Sequence, residues 1–113
     1  MIDPKYKYHH LGIPITVPLE GERFLEEFQV HISGYATSPF GIEWMRYEPE
    51  CNVPHLVKTV PHVAFEVENL EQALEGKEIL IAPNSPSAGV MVAFIVDNGA
   101  PVEFLQIDRN IYK

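Results

Sequence analysis

The stretch "YHHLGIPI", residues 8–15, decides how the rest of the chain is read. Leu11, Ile13 and Ile15 alternate with His10, Gly12 and Pro14, which is the period-two pattern of a strand with one apolar face. Two histidines stand at its head. A second run, "PHVAFEV" from Pro61 to Val67, repeats the shape. Val63, Phe65 and Val67 fall on one parity, and His62, Ala64 and Glu66 on the other. Setting His62 on His10 aligns "HVAFEV" with "HLGIPI" as histidine, apolar, small, apolar, variable, apolar. The two runs lie about half a chain apart, so an internal duplication is the first possibility to follow.

Outward from these runs the signals stay mostly β. "GIEWMRYE" (41–48) and "GVMVAFIV" (89–96) carry aromatic and branched residues behind a glycine. "APVEFLQI" (100–107) follows the turn signal Asp97, Asn98, Gly99, so the last two form a hairpin. Helical pattern is confined to "PLEGERFLEEF" (18–28) and "NLEQALEG" (69–76); the latter has Asn69 as cap, Leu70 and Leu74 on one face, and Gly76 as stop. The proline-bearing segments 37–39, 48–54 and 82–89 read as connections. The order is strand, helix, strands, twice over.

The bulk properties bound the possibilities. A chain of 113 residues suits a single domain, and 46% hydrophobic with 21% charged residues is globular composition. Mean hydropathy of −0.05 argues against a membrane protein. Sixteen acidic against eight basic residues leave a formal charge of −8, which opposes attraction to nucleic acid or to an anionic membrane. Cys51 is the one cysteine and has no internal disulfide partner. Residues 1–20 lack a secretory pattern, so the expected location is cytoplasmic. Cys51 lies in "EPECNVP" among glutamates that disfavour a thiolate, and it reads as structural.

The chemistry-bearing residues follow from strand parity. His10 shares a face with Gly12 and Pro14, and His62 shares one with Ala64 and Glu66, so each histidine stands opposite the apolar side and beside small residues that leave room for a cleft. Glu103, between Val102 and Phe104, is costly to bury without a cation, a hydrogen-bond partner or solvent. Two imidazoles and a carboxylate are a competent set for a divalent transition metal with open positions. Spacing leaves the alternative open: half-buried strand histidines and a solvent-facing glutamate.

The segments "HHLGIPI", "PHVAFEVENLEQAL" and "GVMVAFIVDNGAPVEFLQ" resemble the vicinal oxygen chelate superfamily, which includes glyoxalase I, bleomycin resistance proteins and extradiol dioxygenases. The resemblance runs over nearly the whole chain and is more specific in the second half. It implies an α+β fold of two βαβββ modules, the first abbreviated, in a curled mixed sheet around a cleft. Module one would cover about 1–57 and module two about 58–113 of a single domain. It also implies that His10, His62 and Glu103 hold a divalent ion (Zn, Fe, Mn, Ni or Co). The spacing that sets His62 on His10 sets Glu103 on Cys51, and "GIEWMRYEPE" aligns better with the penultimate strand of the second half. The first module is therefore expected to lack its last strand, with Glu43 or Glu48 as the acids available for a fourth ligand.

The implied function is a metal-dependent isomerase, lyase or dioxygenase acting on a small oxygen-chelating substrate, with Glu103 or Glu43 as the base. Trp44 and Arg46 share a strand face and are candidates for holding substrate, although core packing and an ion pair are the plainer uses of the two. His9 lies on the opposite parity from His10 and reads as a surface residue; His31 and His55 match no motif. The competing function is a non-catalytic binder that sequesters a cationic planar ligand against Trp44, Tyr47 and Phe40. A homodimer is the expected assembly.

Overall fold

The computed structural model describes residues 1–112 and contains eight strands and two short helices. The strands are β1 (Lys7–Pro14), β2 (Arg23–Leu25), β3 (Val30–Ser33), β4 (Ile42–Tyr47), β5 (His62–Glu66), β6 (Glu78–Ser87), β7 (Val90–Asp97) and β8 (Ala100–Ile107); the helices are α1 (His55–Thr59) and α2 (Leu70–Leu74). The architecture is mixed α+β. The chain divides into two compact units, residues 10–62 and residues 1–9 with 63–113.

In the unit of residues 10–62 the strand order is β2-β3-β4-β1, with β1 and β4 parallel and the remaining pairs antiparallel. The second unit has the order β5-β8-β7-β6, with β5 and β8 parallel. The two halves therefore have the same internal plan. The first half does not lack its last strand: β4 pairs with β1 in the register Gly12↔Glu43, as β8 pairs with β5 in the register Ala64↔Glu103. What it lacks is the helix between its first two strands. Residues 18–28, helical by pattern, instead form β2 and a single 3₁₀ turn at Glu26–Phe28. Gly21 at φ +83° interrupts any helix there, and Arg23–Leu25 are held by β3, an example of tertiary pairing overriding local propensity.

The second half follows its sequence more closely. Asn98 and Gly99 both take positive φ, and Asp97 pairs with Ala100, the arrangement of a two-residue hairpin turn twisted to match its strands. The Asn69 side chain accepts from the Gln72 N–H at 2.9 Å and caps α2. Leu70, Ala73 and Leu74 of that helix pack on Val67, Ala93, Ile95 and Phe104, a cluster that Tyr6 joins with its ring 5.3 Å from Phe104. A second cluster holds Ala64, Val90, Val92 and Leu105. The proline-bearing segment 82–87 is no connection; β6 runs through it as an edge strand with several register shifts, where Pro83 and Pro86 are tolerated because one side of the strand needs no partner.

Candidate metal centre

In β1, His10 and Gly12 are buried while Leu11 and Ile13 on the other parity are only half-buried. β5 shows the same contrast between His62 with Ala64 and Val63 with Phe65. The histidine face, which the sequence leaves open for a cleft, is thus the more buried one. His10 is 6% exposed and His62 1%, and their rings meet edge to face with centroids 5.5 Å apart. Gly12 makes that meeting possible. A Cβ on Gly12 would stand 2.7 Å from His62 Nε2 and 2.8 Å from Nδ1, and closer still to Cε1. The imidazole therefore occupies the space a side chain would fill. Tyr35 adds an edge contact to His10 at 5.9 Å.

Glu103 is 8% exposed in a strand whose neighbours Phe104 and Leu105 are core residues. Its strand position is fixed by register opposite Ala64, two residues along β5 from His62. Burial of a carboxylate costs several kcal/mol unless cations or donors compensate. His10, His62 and Glu103 each offer one ligand atom, and the three atoms lie within 4.8 Å of one another. This buried His-His-Glu group could hold a metal ion: its nitrogen and carboxylate donors are those that divalent transition metals prefer.

Glu43 stands in the first half where Glu103 stands in the second. Neighbouring residues of a parallel pair share a face, so the register Gly12↔Glu43 puts Glu43 on the side of β1 that carries His10. The repeat alignment that set Cys51 against Glu103 was out of step, because the first half reaches its fourth strand without a helix. Cys51 lies buried beyond β4, its N–H bonded to the Glu48 carbonyl. Trp44 aligns with Ile13 and so lies on the opposite face from Glu43. Gly34 leaves room for its indole, since a Cβ there would stand 2.8 Å from Trp44 Cδ1. Arg46, on that same face, binds Glu22 with both ends of its guanidinium, Nη2 at 2.6 Å and Nε at 3.0 Å.

His31 and His55 lie in other surroundings. His31 Nε2 lies 3.0 Å from Glu48 Oε1, with Glu22 on the far side of the ring at 3.8 Å and Phe24 stacked on it at 4.5 Å. The Arg46 hydrogen bond holds the Glu22 carboxyl down at about 2. His55 is exposed at the start of α1. Two contributors escaped the sequence reading. Tyr35 sits in the loop before β4 with no motif around it, and Gly12 was visible only as a small residue on the histidine face.

No protein-family profile matches the chain, and no curated protein does. Solved structures do. A hypothetical protein from Bacillus halodurans superposes with a TM-score of 0.69 at 20% identity, over 91% of this chain and 95% of that one. Methylmalonyl-CoA epimerase from Mycobacterium tuberculosis superposes with a TM-score of 0.63 at 16% identity, over 96% and 93%. The chain has the fold of the vicinal oxygen chelate, or glyoxalase-type, proteins. Among the described residues no helix is long and apolar enough to cross a membrane.

Proposed function

We propose that this protein is a divalent-metal-dependent enzyme of the glyoxalase type that moves a proton on a small substrate presenting two oxygens. The observation that carries the proposal is the convergence of His10, His62 and Glu103, all buried, with ligand atoms within 4.8 Å. His10, His62 and Glu103 would hold the ion, and the chemistry it would supply there is Lewis acidity toward substrate oxygens and stabilisation of developing negative charge. The protein's own parts are distinct. His10 and His62 would give nitrogen donors, their rings edge to face with His62 in the space that a side chain at position 12 would fill. Glu103 would give the carboxylate donor and offset part of the charge of a bound cation.

Glu43 is the residue we assign to proton transfer, as a carboxylate on the His10 side of β1 that is half-buried rather than sealed in the core. Among isomerase, lyase and dioxygenase chemistry, isomerisation is favoured by the likeness in fold to an epimerase. The test is a substrate panel of acyl-CoA epimers, 2-oxoaldehyde hemithioacetals and catechols, with proton exchange followed by NMR in deuterated water and oxygen uptake followed for the catechols. We expect exchange with a member of the first two groups, reduced ~10²-fold or more in Glu43→Gln without loss of bound metal. Tight binding of a planar cation by metal-free protein with no turnover on the panel would instead establish the sequestering function.

A further inference from the structure

A groove of about 770 Å³ lies wholly within the unit of residues 1–9 and 63–113, lined by the N-terminal segment, the end of β5, the start of α2 and the end of β8. Neither histidine of the metal centre lines it, nor does Glu103. In a chain with only eight basic residues, four of them, Lys5, Lys7, Lys77 and Arg109, line this one groove. Three acids face them: Asp3, Glu66 and Glu68. Glu66 is already bound by both ends of the Arg109 guanidinium, with Nη2 to Oε1 at 2.8 Å, and Asp3 accepts the Lys5 backbone N–H at 2.9 Å. Among the described residues no carboxylate comes within salt-bridge distance, 4.0 Å, of Lys5, Lys7 or Lys77, although the Lys7 charge, after the Arg109 hydrogen bond, helps to hold the Glu66 carboxyl below its ordinary range. For a protein of charge −8, a groove with basic residues in the majority is a local reversal.

The uncharged polar groups point the same way. The Gln106 oxygen is spent on the Leu70 N–H at 2.7 Å, and the Asn69 oxygen on the Gln72 N–H. With their acceptors engaged by backbone, what each of these groove-lining amides has left to offer a ligand is its NH₂ donor. The groove therefore offers ammonium groups and amide donors, with an apolar floor of Tyr6, Val67 and Ile107. Its size lies within the range of small-molecule sites.

We infer that this groove is a second binding site, separate from the metal centre, for a phosphate-bearing organic molecule whose phosphate oxygens meet Lys5, Lys7 and Lys77 and whose body rests on Tyr6, Val67 and Ile107. Lysines on a rim recognise phosphate as point charges, and the amide donors complete its acceptor-rich shell. The probe is inorganic pyrophosphate, titrated calorimetrically and by amide NMR into the full chain in low salt. Four proteins are compared: wild type, Lys7→Gln with Lys77→Gln, Lys58→Gln as a basic residue outside the groove, and His10→Ala. We expect saturable binding with shifts at Lys5, Asn69 and Gln106. It should weaken about tenfold or more in the double variant and be unchanged in Lys58→Gln and His10→Ala. All three groove lysines are exposed, so the variants should keep the wild-type amide spectrum. No saturable binding up to roughly 10 mM, equal binding by the double variant, or loss in His10→Ala instead would overturn the assignment.

Discussion

The two halves of the chain share a strand plan but not a core. The second half has a capped helix and two apolar clusters, and Phe104, Ala93 and Ala64 are almost wholly inaccessible. The first half has no helix between its first two strands, and among the described residues its buried apolar side chains are Val30, Cys51 and Val57. Every residue of β4 is only half-buried, and Phe24, Tyr35 and Phe40 are exposed. Both apolar clusters found among the described residues lie in the second half, and the first half has a charged one: Arg46, Glu22, His31 and Glu48 tie β3 and β4 to the segment before β2. One plan can thus be held by apolar burial in one copy and by polar pairing in the other, while each copy keeps a buried histidine at the corresponding place in its first strand.

The contrast can be broken most sharply in the cores. Phe104→Ala should cost ~3–5 kcal/mol by removing the ring on which α2 and Tyr6 pack, and Val30→Ala about 2 kcal/mol at most. Urea midpoints decide it, and equal losses would mean that the halves are held alike. Gly12→Ala comes next. Its methyl group must displace the His62 ring, so we expect ~1–3 kcal/mol of destabilisation from overpacking. Metal affinity should fall by about tenfold or more, as when a ligand's orientation is lost. A Gly12→Ala protein with normal metal affinity would show that the ring has room to move.

Smaller effects sharpen the comparison. Asn69→Ala should cost ~1 kcal/mol through loss of the α2 cap, measured by thermal unfolding, with no counterpart in the first half. The charged cluster should show itself in pH. Glu22 is held at about 2, against an ordinary value near 4.5, chiefly by the Arg46 hydrogen bond. Its folded-state value is depressed, so its contribution is complete above the unfolded value and disappears as pH falls through the folded one. The stability gap between wild type and Glu22→Gln should be constant near neutrality and close between about pH 5 and 2. A gap that widens on acidification would contradict the assignment.

What the sequence disclosed was what short-range chemistry controls. The Asp97-Asn98-Gly99 turn, the Asn69 cap and the extended runs of β1, β5 and β8 depend on residues within a few positions of one another, and all are where the pattern put them, although the face more deeply buried in β1 and β5 is the histidine one. The misreadings involve partners far along the chain. Residues 18–28 have helical spacing, but β3 decides their conformation. The prolines of 82–87 argue against a strand until the strand is known to be an edge. α1 is too short for its periodicity to register. The repeated strand singled out the two histidines and an apolar strand singled out Glu103, but spacing left half-buried histidines and a solvent-facing glutamate equally open; the resemblance to the vicinal oxygen chelate superfamily is what implied that the three belong together, and the structure brings their ligand atoms within 4.8 Å of one another. That Glu43, not Cys51, matches Glu103 required the pairing register.

The most direct test of the metal centre is elemental analysis of untagged protein purified without chelator and then exposed to zinc, iron, manganese, nickel and cobalt in turn. We expect about one tightly held divalent ion per chain, lost in each of His10→Ala, His62→Ala and Glu103→Gln, with each variant still folded by circular dichroism. Wild-type protein that takes up none of these metals, or variants that retain the ion at full stoichiometry, would contradict it.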